Sequence, residues 1–251
     1  MPSIVYHPAY EHDFAPGSFE GPERLEAIRN SLQQYQPFCK PEPAKEADLL
    51  LVHEERLVAK VKRRKALYEV ILLAVGGAIL SARLAMRGEP AFGLIRPPGH
   101  HADSRASWGF CYVNNMAIAI KKILTENNLN WVVVFDLDHH VGDGTQRIFL
   151  PSRQVTVINI IALNRQDYLA QTSNKLQLIR RADLLAISMG FDTYEHDIGG
   201  LLCTEDYAHI GSWFRRAAER LCQGRRFALL EGGYYLPDLG KNVLAFCEGF
   251  G

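Results

Sequence analysis

Four short apolar runs, each followed at once by a polar cluster, organise this chain: Ala91 to Ile95, Trp131 to Phe135, Leu184 to Ile187 and Phe227 to Leu230. They are continuous rather than alternating, which predicts strands buried on both faces of a parallel sheet. Ser3 to His7 predicts a further strand, Pro22 to Tyr35 a helix and Pro41 to Lys45 a polar connection. Val113 to Glu126 and Glu205 to Cys222 have the helical period and would cover the sheet. Ala66 to Met86 is strongly apolar, but Glu69 and Arg83 leave it too short an uncharged core to span a bilayer comfortably. Its Gly76-Gly77 pair suits close packing, so it reads as a buried helix. No repeat or low-complexity tract divides the chain, which predicts one α/β domain over residues 1–251.

In open α/β sheets ligands collect beyond the carboxyl ends of the strands, and that is where the polar clusters lie. After Trp131 to Phe135 comes Asp136-Leu137-Asp138-His139-His140-Val141-Gly142-Asp143-Gly144-Thr145. An isolated Asp-x-Asp reads as a turn; His140 and the following Gly-Asp-Gly favour a metal site. If the segment is extended, Asp136, Asp138 and His140 share a face, and Asp138 and His140 could grip one cation. After Ala91 to Ile95 comes Arg96-Pro97-Pro98-Gly99-His100-His101-Ala102. Imidazoles suit acid/base work near neutral pH, and Asp136 and Asp143 are available to orient two rings. After Leu184 to Ile187, Gly190-Phe191-Asp192 offers Asp192 as a third metal ligand. After Phe227 to Leu230, Glu231-Gly232-Gly233-Tyr234 presents a phenol able to donate to a developing oxyanion.

Taken with Gly109-Phe110-Cys111-Tyr112-Val113-Asn114-Asn115, these motifs and their order resemble the histone deacetylase and acetylpolyamine amidohydrolase superfamily, from about Ile4 to the C-terminus. The resemblance implies the arginase/deacetylase-like fold, a mostly parallel sheet with helices on both faces. It implies a zinc-dependent deacetylase with Zn2+ (or Fe2+ in the cell) held by Asp138, His140 and Asp192. His100 would pair with Asp136 and His101 with Asp143, His101 being the general base and later the proton donor to the leaving amine. Tyr234 would stabilise the oxyanion, while Gly109, Phe110, Ile198, Gly232 and Gly233 would border the substrate. A potassium ion is implied near Asp136, with the carbonyls of Asp138 and His140 and with Asn159. Arg24 matches an arginine behind the metal, or else makes a surface salt bridge.

Composition is compatible with such an enzyme. Twenty-eight basic and 28 acidic side chains balance, which argues against wholesale nucleic-acid or membrane affinity. The basic run Lys60, Lys62, Arg63, Arg64 and Lys65 reads as a solvated face. The first residues lack the basic and apolar regions of a signal peptide. Five cysteines without a Cys-x-x-Cys pair suggest reduced thiols and a cytoplasmic location.

Departures from the family pattern bear on substrate. The segment between His53 and Gly76 lacks a long loop with an acidic clamp, and Ile160 to Ala182 lacks a Gly-rich excursion; Ser18-Phe19-Glu20 stands where His-Pro-Glu is common. Shortened active-site loops imply a shallower site, open to an acylated lysine peptide or a small acylated amine, or a homo-oligomer whose partner supplies the missing walls. Two other functions compete: an arginase-like binuclear manganese hydrolase, which would want more carboxylates, and a non-catalytic metal-dependent binder of acyl amines, which would need no proton shuttle.

Overall fold

The computed structural model describes residues 1–14 and 17–251. Among them, six strands form one parallel sheet: β1 (Ser3–Val5), β2 (Ala91–Gly93), β3 (Val132–Asp136), β4 (Val155–Asn159), β5 (Leu184–Met189) and β6 (Arg226–Leu230). Their spatial order is β1-β2-β6-β5-β3-β4. The four strands that carry polar clusters therefore lie side by side in the middle of the sheet, which sequence order alone does not reveal. Val132, Val133, Val134 and Phe135 are fully buried, and removing each such side chain from water contributes about 1.5–3 kcal/mol. That burial is why the run does not alternate.

The helices are α1 (Glu23–Ser31), α2 (Glu46–Leu49), α3 (Glu55–Lys62), α4 (Lys65–Met86), α5 (Asn115–Glu126), α6 (Asp143–Phe149), α7 (Arg165–Leu178), α8 (Thr204–Cys222) and α9 (Leu236–Phe250). One group has α4 on β1, β2 and β6 and against α5; the other has α8 on β5 and β6, with α7 and α9 beside it and α1 beyond α9. Although α4 is long and apolar enough to cross a membrane by length and composition, 67% of its apolar window is buried in the core. Its glycine pair is a packing device. A Cβ on Gly76 would come within 2.0 Å of the Glu42 carbonyl oxygen, and one on Gly77 within 2.6 Å of the Tyr10 hydroxyl.

Several elements differ from their sequence expectation for identifiable reasons. The first helix stops at Ser31 and passes into a 3-10 turn at Gln33–Tyr35. Helix α7 buries only Tyr168, Thr172 and Leu176, a stripe one residue wide that leaves little hydrophobic period to detect. Its start is nevertheless encoded, because the Asn164 side chain accepts the Asp167 N–H at 2.9 Å. Strand β4 is an edge with one fully buried residue, Val155. The basic run around residues 60–65 is exposed on α3 and at the start of α4, as a solvated face.

Candidate active site

The turn bearing the two histidines is held from three directions. Arg96, fully buried, donates to Glu20 Oε1 at 2.9 Å and to the carbonyls of Glu20, Tyr10 and His12. Beyond it, Gly99 N–H and His100 N–H both donate to Glu231 Oε2, at 2.8 and 3.2 Å, and Ser188 Oγ donates to Glu231 Oε1 at 3.1 Å. Glu231 thus ties the end of β6 and the last turns of β5 to the loop after β2. Burial pushes its carboxyl up to about 7.

Asp138, His140 and Asp192 converge, their ligand atoms all within 4.8 Å of one another. They do so through a turn rather than an extended segment. Strand β3 ends at Asp136, Asp138 N–H returns to Asp136 Oδ1 at 3.3 Å, and His140 N–H returns to Asp138 Oδ1 at 2.8 Å. Tyr168 of α7 anchors the crossing residue by donating to the Leu137 carbonyl at 2.7 Å. Asp138 Oδ2 accepts Gly232 N–H at 2.8 Å, and Asp192 Oδ1 accepts His139 N–H at 3.0 Å. His140 Nδ1 lies 3.1 Å from both carboxylates but has hydrogen-bond geometry only toward Asp138 Oδ1. Asp192 Oδ2 is left buried without a hydrogen-bond donor.

That orphaned oxygen makes the cluster a candidate cation site, since a buried carboxylate oxygen otherwise finds a donor. The glycines around it agree: a Cβ on Gly232 would sit 2.7 Å from both Asp138 Oδ2 and Asp192 Oδ2, and one on Gly190 would sit 2.2 Å from Asp138 Oδ2. Electrostatics point the same way. The neighbouring carboxylates raise His140 to about 10, and burial followed by the Asp138 charge raises Asp192. Burial opposes charge on Asp138, but His100 and His140 keep it below the carboxylate range. A cluster this rich in negative charge recruits protons when no cation neutralises it. A second convergent group, His100, Cys111 and Glu231, fits a metal less well. Both Glu231 oxygens already accept hydrogen bonds, and Cys111 Sγ accepts His101 N–H at 3.4 Å.

Two histidine–carboxylate pairs stand beside the cluster: His100 Nδ1 with Asp136 Oδ2 at 3.2 Å, and His101 Nδ1 with Asp143 Oδ1 at 2.9 Å. Burial opposes charge on His100, but Asp138 and Asp136 outweigh it and hold its pKa well above the ordinary value. His101 is lowered to about 4 by burial and by the charge on His100. Both rings line a cavity of about 90 Å³ with Pro98, Trp108, Gly109, Phe110, Cys111, His140, Gly232 and Tyr234. Burial raises the Tyr234 phenol well above its ordinary value, so it stays protonated.

Other expected residues are engaged as follows. Ile198 is 59% exposed and is not among the residues lining the cavity. Asp197 Oδ2 accepts the N–H groups of Tyr234 and Tyr235, at 2.6 and 2.7 Å, and its Oδ1 accepts Ile198 N–H. Asp197 thereby braces the tyrosine turn. Gly233, with φ of +125°, backs onto Phe191 and Leu239. Its carbonyl accepts Arg24 Nε–H at 2.5 Å, so the Gly-Gly turn is clamped. Arg24 itself is buried on Glu20, which rules out a surface salt bridge. Asn159, expected near potassium, has Oδ1 on Gly142 N–H and its carbonyl on Lys175 Nζ. Sequence reasoning missed Trp108, which stacks on His101, and Tyr168. Neither occupies a position that spacing alone distinguishes.

Comparison with known proteins accords with this geometry. The histone deacetylase domain family matches residues 60–175. A probable deacetylase of Archaeoglobus fulgidus is 30% identical, covering 98% of this chain and 86% of that protein. The alignment runs over 313 residues, against 251 in this chain, so the relative carries segments absent here. Polyamine deacetylase HDAC10 of Danio rerio is 27% identical, covering 89% of this chain and 43% of that protein. The crystal structure of the HDA15 HD domain superposes with a TM-score of 0.86 at 23% identity, covering 99% of this chain and 90% of that one.

Proposed function

The chain belongs to the histone deacetylase and acetylpolyamine amidohydrolase superfamily, and from that membership we propose that it is a zinc-dependent deacetylase acting on an acylated lysine or a small acylated amine. The observation that carries the reading is the buried, donorless Asp192 Oδ2 within a two-Asp, one-His cluster, set against two histidine–carboxylate pairs. Asp138, His140 and Asp192 would hold the ion. When bound it supplies Lewis-acid polarisation of the amide carbonyl and acidifies a water.

The chain's own groups do the rest. Asp143 engages His101 Nδ1 and so leaves Nε2 free to take a proton from water; the depressed pKa keeps the ring neutral and ready to accept. The same nitrogen then returns the proton to the leaving amine. His100 is held on Asp136 beside the carboxylate cluster, and Tyr234 donates to the developing oxyanion from the cavity wall. Gly109, at φ +60°, and Phe110 border the entering acyl amine. Because Asp136 and Asp143 are engaged by histidines, they are not spare ligands for a binuclear centre. We also propose a cytoplasmic location, in keeping with five cysteines that remain thiols.

Metal analysis combined with turnover on acetylated lysine peptides, acetylpolyamines and small amides tests the assignment. About one catalytic divalent ion per chain is expected, and Asp192→Ala should lose ion and activity together. Full occupancy in that variant, or two bridged ions in the parent, would overturn it.

A further inference from the structure

We infer that Trp108 is a positioning residue for His101: its indole fixes the imidazole on Asp143 and screens that pair from water at the cavity mouth. The inference rests on the reading of His101 as the general base. The two rings stack with centroids 3.7 Å apart at 30°. The indole Nε1–H also reaches both oxygens of Asp143, at 3.1 and 3.3 Å. One side chain therefore contacts both members of the pair, over the face of one and by hydrogen bond to the other.

The local backbone is arranged to keep it there. Gly109 takes φ of +60°, and a Cβ at that position would lie 3.3 Å from His101 Cδ2, so a side chain would crowd the stacked ring. Cys111 N–H donates to the Trp108 carbonyl at 3.2 Å, while Cys111 Sγ accepts His101 N–H at 3.4 Å. The 108–111 turn is thus tied back to His101 itself. Packing does not account for the placement, because the tryptophan is 53% exposed. Asp143 is the first residue of α6, and its Oδ2 also lies 3.3 Å from Arg147 Nη2. Without the indole, water would take its place on the carboxylate, and the imidazole would be free to turn away from the cavity.

The test compares Trp108→Ala with Trp108→Phe, which keeps a stacking face but no N–H, in zinc-reconstituted protein with folding checked by circular dichroism. For Trp108→Ala we expect kcat to fall about tenfold to hundredfold, as for a misplaced catalytic group, with KM within about twofold. Trp108→Phe should recover most of the loss. Independently of turnover, the proton on His101 Nδ1, assigned by its disappearance in His101→Gln, should exchange slowly in the NMR spectrum of the parent and of Trp108→Phe. It should vanish into solvent exchange in Trp108→Ala. A raised KM at unchanged kcat would make Trp108 a substrate contact only, and a persisting Nδ1 proton in Trp108→Ala would remove the screening role. Should the parent turn over no acyl amine, the deacetylase reading fails, while the proton signal still decides the case for Trp108.

Discussion

The two histidine–carboxylate pairs use the same residue types, the same Nδ1 contact and adjacent positions in the chain, yet they occupy opposite environments. His100 and Asp136 are 4% and 0% exposed in their side chains, and His100 Nε2 lies 3.9 Å from Asp138 Oδ1. His101 faces the cavity, and Asp143 is 24% exposed at the start of α6, where Trp108 and Arg147 also reach it. Against the opposing effect of burial, the carboxylates of Asp138 and Asp136 raise the inner ring's pKa; burial, followed by the charge on His100, lowers the outer ring's. Two side chains of one chemistry are thus shifted in opposite directions by their surroundings, as is familiar for paired titratable groups with separated pKa values.

The comparison breaks most directly if the roles are exchanged. His101→Ala should be at least as damaging as His100→Ala, lowering kcat by about 100-fold to 10,000-fold while the metal stays bound. Steady-state kinetics with metal content measured on each variant checks this, and a greater loss at position 100 with full metal would reverse the assignment. Tyr234, on the cavity wall and part of neither pair, calibrates both. Tyr234→Phe should lower turnover by about 100-fold to 1000-fold with little change in KM or metal content. Unchanged turnover would take the tyrosine out of the reaction and revive the non-catalytic binder.

The smallest effect concerns what stands behind the outer pair. Asn114 donates from Nδ2 to the Ala102 carbonyl and to Thr145 Oγ1, and its own N–H donates to His53 Nε2 at 2.9 Å. His53 Nδ1 bonds the Asp103 carbonyl at 2.8 Å, so the ring must be neutral, and burial lowers its pKa from 6.5 to about 4. Below pH 6.5 the unfolded chain takes up a proton that the folded protein refuses until about pH 4. The contribution to stability is therefore complete above the first value and lost as pH falls toward the second. It amounts to at most about 3 kcal/mol. Urea midpoints followed across that range should fall more steeply in the parent than in His53→Gln; equal slopes would dismiss His53 as the source.

Much of the site was legible because each buried strand is read as an apolar run and each functional group follows its end. His100, His101, Asp138, His140, Asp192 and Tyr234 are singled out this way, and the structure brings them together. What was not legible is whatever depends on conformation beyond spacing. The approach of Asp138 to His140 comes from a turn, not from strand alternation. The Trp108 stack depends on one residue, Gly109, in the left-handed region. The exposure of Ile198 is likewise a matter of loop conformation, which spacing does not encode. Helix α7 escaped because three buried residues in fourteen give almost no period, though one of them, Tyr168, supports the turn that carries Asp138 and His140.

Strand β4 ends the sheet, and its outer edge is the natural place for another chain to add itself. Gln154 and Ile160 bond back to β3, so by alternation Val155, Val157 and Asn159 point their backbone groups away from the sheet. Val155 N–H is taken by Ser152 Oγ at 3.2 Å, and the Asn159 carbonyl by Lys175 Nζ at 2.9 Å. An incoming strand would have to displace a hydroxyl at one end and strip an ammonium at the other to gain the pairing of little more than a single valine. Edge-to-edge polymerisation is thereby discouraged at the cost of two short side-chain contacts.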